Sequence, residues 1–173
     1  MADYNRELEE LFTRAYQRAY RAAKSICLNR HLAEDAVSEA AVRMLGAMRR
    51  GSVRADADAY FIRIAVNEAK RICMKRREIP TDDIAAYLDA CGIHTEFDGE
   101  AAKALLEAVN RLGEKLRIPI QLHYFGGFSE AETARSLGIS YSAVKARIMR
   151  GRKKLKEMLS WEENMEGGVS HEI

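Results

Sequence analysis

The sequence predicts an all-α protein made of two small helical domains joined by an acidic linker. Three observations carry this. Only two prolines occur in 173 residues, of which 47% are hydrophobic and 31% charged, with Ala, Leu, Arg and Glu abundant, and those residue types favour helices. Apolar side chains recur at three- and four-residue spacings through most of the chain, the period of one helix face. After Ile79-Pro80 the character changes, because Asp82, Asp83, Asp89, Glu96, Asp98 and Glu100 follow with no Lys or Arg between them. A proline ends a helix and restricts the residue before it. The expected organisation is a domain over 1–78, a linker over 79–100, a second domain over 101–160 and a flexible tail over 161–173, each domain small but within the usual range.

The first domain should hold three helices. Leu8, Leu11, Phe12, Ala15, Ala19, Ala22, Ala23 and Ile26 write a long amphipathic helix that ends near Asn29. After a short turn at Asn29 to His31, Ala36, Val37, Ala40, Ala41, Met44, Leu45 and Met48 write the second. Its opposite side carries Asp35, Ser38, Glu39 and Val42 at offsets of 3, 4 and 7 from Asp35, so they form one exposed face. A loop from Arg49 to Asp58, containing Gly51 and Ser52, leads to a third helix from about Ala59. There Phe61, Ile64, Ala65, Ala69 and Ile72 turn inward, while Arg63, Asn67, Lys70, Met74 and Arg77 share the outer face with Arg71, Lys75 and Arg76 alongside. Such a basic helix, with Tyr60 at its start, suits a nucleic-acid backbone.

In the linker one short helical turn is expected around Ile84 to Leu88. The second domain opens with a helix from Ala101 through Leu112, turning Leu105, Leu106, Val109 and Leu112 inward, and Gly113 and Pro119 are expected to interrupt it. Ile118, Ile120, Leu122, Tyr124 and Phe125 supply apolar mass, and Gly126-Gly127 makes a turn. Ser129 and Glu132 then form a capping-box pair at the start of a short helix. Ala131, Ala134 and Leu137 follow, and Gly138 offers the backbone freedom of a sharp helix exit. Ser140 is a second N-cap, and Val144, Ile148, Leu155 and Leu159, spaced 4, 7 and 4, form the stripe of a longer helix. Two capped helices joined by a Gly-containing turn make a helix-turn-helix.

The charges show what this motif meets. Between Ser140 and Lys156 there are seven cations (Lys145, Arg147, Arg150, Arg152, Lys153, Lys154, Lys156) and no acid. With Val144 and Ile148 inward, Ser142, Lys145, Ala146, Met149, Arg150 and Lys153 point outward, a face that fits a DNA major groove. The tail after Leu159 is acidic and Gly-containing and is expected to fray, with Trp161 either capping the last helix or standing exposed.

Other classes find little support. A formal net charge of +2 is unremarkable. No apolar run approaches the roughly 18 residues of a membrane span, and MADYNRELEELF lacks the apolar core of a secretory signal, so membrane insertion is not expected and a cytoplasmic protein is. Cys27, Cys73 and Cys91 suit reduced thiols, the first two as small core residues. Cys91 and His94 are two ligands where a tetrahedral metal site needs four. No Gly-rich phosphate loop, nucleophile elbow or ligand triad appears, so neither enzyme activity nor a cofactor or metal is expected.

The segment LLEAVNRLGEKLRIPIQLHYFGGFSEAETARSLGISYSAVKARIMRGRKKLKEML resembles, over its full length, the fourth region of bacterial RNA polymerase sigma factors of the extracytoplasmic-function type. AEDAVSEAAVRML resembles the family's polymerase-gripping helix, and DAYFIRIAVNEAKRICMKRR the helix used at the minus-10 element. The resemblance implies a non-enzymatic initiation factor whose partners are core RNA polymerase and promoter DNA, with an anti-sigma factor as a further partner, and which is a monomer when free. It implies that Asp35, Ser38, Glu39 and Val42 dock on the polymerase's largest subunit. The loop Arg49 to Asp58, with Tyr60, Arg63, Asn67, Lys70 and Arg71, would take the opened minus-10 strand. Ser142, Lys145, Ala146, Met149, Arg150 and Lys153 would meet the minus-35 duplex, and Leu112 to Phe125 the flap of the second-largest subunit. The sequence departs from the family pattern at Ser38, where Gln is usual, at Tyr60-Phe61, where Trp-Leu is usual, and at Gly113, where Pro is usual. The rival reading is a helix-turn-helix regulator whose N-terminal helices dimerise, which would read a palindromic site without polymerase.

Overall fold

The computed structural model describes residues 4–53, 56–75 and 99–166. Most of the expected linker lies outside these residues, including Cys91, His94 and the turn around Ile84 to Leu88, as do the tail beyond 166 and the side chain of Trp161. The described residues form seven α-helices and one π-helical turn. They are α1 (Tyr4–Cys27), α2 (Arg30–Arg49), α3 (Ala57–Lys75), α4 (Gly99–Arg111), α5 (Glu114–Ile120), the π-turn (Gln121–Phe125), α6 (Glu130–Leu137) and α7 (Tyr141–Glu166).

Helices α1, α2 and α3 pack on one another around a core rich in alanine. Ala15, Ala19, Ala22, Ala23, Ala33, Ala36, Ala40, Ala65 and Ala69 are all buried. Side chains this small let helix axes lie at the short end of the usual spacing. Leu11, Val37, Met44, Phe61 and Val66 fill what remains. Asn29, expected in the turn, caps α2 instead: its φ of −148° is extended and its Oδ1 accepts from the Leu32 amide at 3.0 Å. Asp56 does the same for α3, accepting from the Ala59 amide at 3.0 Å.

The second half is built from α4 to α7 over Leu106, Val109, Leu112, Ile120, Phe125, Val144 and Ile148. Pro119 does not interrupt the helix as expected; it sits inside α5. Immediately after it the backbone widens into the π-turn, whose closing bond runs from the Gly126 amide to the Gln121 carbonyl at 2.9 Å. Gly126 has no alternative there, since a Cβ would stand 2.7 Å from the Leu122 carbonyl oxygen. Helix α7 continues to Glu166, past the end of its apolar stripe at Leu159, because Glu and Met favour helix until Gly167.

The two halves are not separate beads. Ile118, Leu122 and Phe128 of the second half are buried within the first core, and Leu28 at the end of α1 is buried within the second. Arg18 on α1 pairs with Glu132 on α6 and lies over the Phe128 ring, 5.8 Å from its centroid. Lys70 on α3 pairs with Glu114 on α5 at 2.7 Å.

Candidate nucleic-acid interface

The helix-turn-helix consists of α6 and α7. Ser129 and Glu132 form the reciprocal capping box: the Ser129 hydroxyl accepts from the Glu132 amide at 3.2 Å and Glu132 Oε2 accepts from the Ser129 amide at 2.9 Å. The bond from the Ser129 amide and a second from its hydroxyl to Oε2 at 2.8 Å, helped by Arg18 and Arg135, hold the Glu132 carboxyl below the ordinary glutamate range. Gly138 ends α6 with φ +65°, and Ser140 caps α7 by accepting from the Ala143 amide at 3.2 Å. Val144 and Ile148 are buried, which leaves Ser142, Lys145, Met149, Arg150 and Lys153 exposed and Ala146 partly so. Arg152, Lys154 and Lys156 extend the exposed cations along the helix, and Met149 is 66% exposed at their centre. Tyr141, exposed at the first turn of α7 with the nearby Glu130 carboxylate raising its hydroxyl above the ordinary tyrosine range, joins this surface and was not foreseen; an aromatic beside the N-cap was its only signal.

On α3, Tyr60 and Asn67, with the α2 residues Val42, Arg43 and Gly46 and the C-cap Arg50, line an open cleft of about 400 Å³. Glu68 stands at its base, almost fully buried, and accepts from Arg43 at 2.9 Å and Arg71 at 2.7 Å. A buried acid held by two arginines is a satisfied arrangement; removal of either partner would leave charge without compensation. Arg71, expected among the strand-binding residues, is therefore committed in part to Glu68. Glu68 itself was missed, although it lies seven residues after Phe61 on the inward face, where an acid is unusual.

Arg63 and Lys70 do not look out to solvent alone. The Arg63 guanidinium lies over the α6–α7 turn in the space a Gly138 Cβ would take, and Lys70 reaches Glu114. The second, larger groove, about 940 Å³, runs between Asp56, Tyr60 and Arg63 on one side and Ala134, Gly138 and Tyr141 on the other. Thus the outer face of α3 and the helix-turn-helix face one another in this arrangement.

On α2, Asp35, Ser38 and Val42 are exposed, Val42 by 67%, and Glu39 is half-buried and paired with Arg43 at 3.2 Å. At the start of α3, Asp58 accepts from Arg14 at 2.9 Å, and this contact holds its carboxyl below the usual aspartate range. Among the described residues no cluster of His, Cys, Asp and Glu could hold a metal ion, and no helix is long and apolar enough to cross a membrane.

A three-helix domain with a basic third helix, followed by a helix-turn-helix with a cationic face, defines a two-part DNA-recognition protein. Residues 11–79 match Sigma-70 region 2 and residues 102–155 match Sigma-70 region 4. The chain is 30% identical over 159 residues to ECF RNA polymerase sigma factor SigM of Mycobacterium tuberculosis (strain ATCC 25618 / H37Rv), covering 88% of this chain and 77% of that protein. It is 44% identical to RNA polymerase sigma factor SigZ of Bacillus subtilis (strain 168) over 63 residues, which span 36% of either chain. The solved structure of CnrH in complex with the cytosolic domain of CnrY superposes with a TM-score of 0.60 at 26% identity, covering 90% of this chain and 89% of that one. The chain belongs to the extracytoplasmic-function family of RNA polymerase sigma factors, the proteins that direct promoter-specific transcription initiation.

Proposed function

We propose that this sigma factor divides its work among three surfaces. Asp35, Ser38, Glu39 and Val42 on α2 dock on core RNA polymerase. Tyr60, Asn67 and the cleft between α2 and α3 receive the opened minus-10 strand, with Arg63, Lys70 and Arg71 contributing cations to its backbone. Ser142, Lys145, Ala146, Met149, Arg150 and Lys153 on α7 meet the minus-35 duplex. The observation that carries this reading is α7: a capped helix with Val144 and Ile148 buried behind an outer face of cations free of acids from Ser140 to Lys156.

The minus-10 surface explains why polymerase is needed. With Arg63 over Gly138 and Lys70 on Glu114, the free chain holds part of that surface against its own second half. Docking must part the halves before both reach DNA, and each basic surface alone is small and screened by salt. Polymerase then holds both at once, which raises the effective concentration of the second contact. In this reading the protein is cytoplasmic, non-enzymatic and monomeric when free, and an anti-sigma factor is its protein antagonist, in keeping with the family resemblance and with CnrH having been solved with a protein partner.

The test is run-off transcription from a library of promoter fragments with core polymerase, comparing the native chain with an Asp35→Arg/Glu39→Arg variant. New transcripts that disappear with the variant are expected. A stable dimer that binds a palindromic duplex without polymerase, and yields no transcripts with it, would replace the three-surface reading with that of a dimeric regulator.

A further inference from the structure

Two cysteines that sequence reading treated as small core residues meet across the seam between α1 and α3. Cys27 is the last residue of α1 and is fully buried; Cys73 lies in the last turns of α3 and is half-buried. Each thiol reaches the other's helix. Cys27 Sγ lies 3.9 Å from the Ala69 carbonyl oxygen, one turn before Cys73, and Cys73 Sγ lies 3.8 Å from the Ile26 carbonyl oxygen, next to Cys27. The two thiols are close enough for each to influence the ionisation of the other. The residue after Cys27, Leu28, has φ +52°, so α1 ends abruptly there and Cys27 is held by only one flanking helical segment.

We propose that Cys27 and Cys73 are a peroxide-reactive thiol pair in which Cys73 is the attacking sulfur, Cys27 the resolving one, and the product an intrachain disulfide between α1 and α3.

The division of roles follows from surroundings. The neighbouring Cys27 thiol and the Arg117 guanidinium of α5 favour the Cys73 thiolate and pull its pKa below the ordinary cysteine value. Cys27, beside the Cys73 thiol and more deeply buried, with Asp35 adding a distant negative charge, is pushed up and stays protonated. Access agrees with this order, since of the two only Cys73 is partly open to solvent. In the first step the Cys73 sulfur attacks one oxygen of hydrogen peroxide: an S–O bond forms, the O–O bond breaks, and the departing hydroxide takes up the thiol proton as water. The Cys73 sulfenic acid is then attacked by the Cys27 sulfur: the S–S bond forms, the S–O bond breaks, and hydroxide leaves with the Cys27 proton as a second water. Two thiols lose two electrons in all, and one peroxide becomes two waters. The disulfide would fasten the end of α1 to the end of the basic helix. Because Arg117 belongs to the second half of the chain, the reactivity of Cys73 reports whether the halves are together.

The test uses the full chain carrying Cys91→Ser, so that only these two thiols remain, reduced and then exposed to excess hydrogen peroxide. Loss of both free thiols, a mass lower by two hydrogens and a single peptide pair linking Cys27 to Cys73 are expected. In Cys27→Ser, Cys73 should stop at the sulfenic acid and be trapped by dimedone; in Cys73→Ser, Cys27 should remain a free thiol. Arg117→Ala should slow thiol loss by roughly threefold if its charge supports the thiolate. Two intact thiols, overoxidation of Cys73 while Cys27 is still present, or equal trapping at both positions in the single variants would each overturn the proposal.

Discussion

Gly138 is the residue at which the helix-turn-helix and the contact between the halves can be separated experimentally. Its φ of +65° is the left-handed conformation, and an alanine forced into it costs about 1–2 kcal/mol by clash with its own backbone. The alanine would also need space that is taken: its Cβ would stand 2.5 Å from Arg63 Cζ and still closer to a terminal nitrogen. Arg63 is flexible and exposed, so it would swing aside, adding about 0.5–1 kcal/mol of coupling between the two positions. The assay is a double-mutant cycle by urea unfolding over the native chain, Gly138→Ala, Arg63→Ala and the double variant. Gly138→Ala should cost about 1–2 kcal/mol in the Arg63→Ala background and measurably more in the native one. If the two costs agree within about 0.3 kcal/mol, Arg63 does not rest on the turn in solution, and the proposed pairing of α3 with the helix-turn-helix fails.

Three further outcomes are expected. Leu106→Ala removes a fully buried side chain of the second core and should lower stability by about 3 kcal/mol, measured by denaturant unfolding, with m unchanged. Because the Glu132 carboxyl is held below the ordinary range, its contribution is complete above the unfolded value of about 4.3 and is lost as pH falls from there through the folded value. Ser129→Ala, which deletes the hydroxyl's share of that hold, should cost about 1 kcal/mol at neutral pH and flatten the acid limb of the stability profile between about pH 5 and 3. Lys145→Ala with Arg150→Ala should weaken binding of holoenzyme to minus-35 duplex and reduce the slope of log affinity against log salt by about 2, whereas a loss independent of salt would place these side chains off the phosphates.

The helices themselves were legible because periodicity is a local property. The Ser129–Glu132 box, the Gly138 exit and the Ser140 cap are each encoded within four residues, and all three occur as read. What was not legible depended on partners distant in sequence. Glu68 looks like any acid in a basic helix until Arg43, 25 residues earlier, is found against it. Arg63 and Lys70 share an outward helix face by spacing, yet Gly138 and Glu114 lie beyond the linker. Pro119 reads as a break, yet it sits inside α5 and is followed by a widened turn that no residue pattern announces. Cys27 and Cys73 were assigned correctly to apolar faces, but period alone says nothing of each thiol reaching the other's helix.

Ile118, Leu122 and Phe128 belong by sequence to the second half and by packing to the first. The boundary that a change in composition draws at the linker therefore runs, in the free chain, through a shared apolar core. Cutting the chain after α3 would strip three large apolar side chains from a surface that they cover in the free chain. Such a fragment should be sticky and prone to self-association, and the intact protein should melt in one calorimetric transition, with the halves losing structure together.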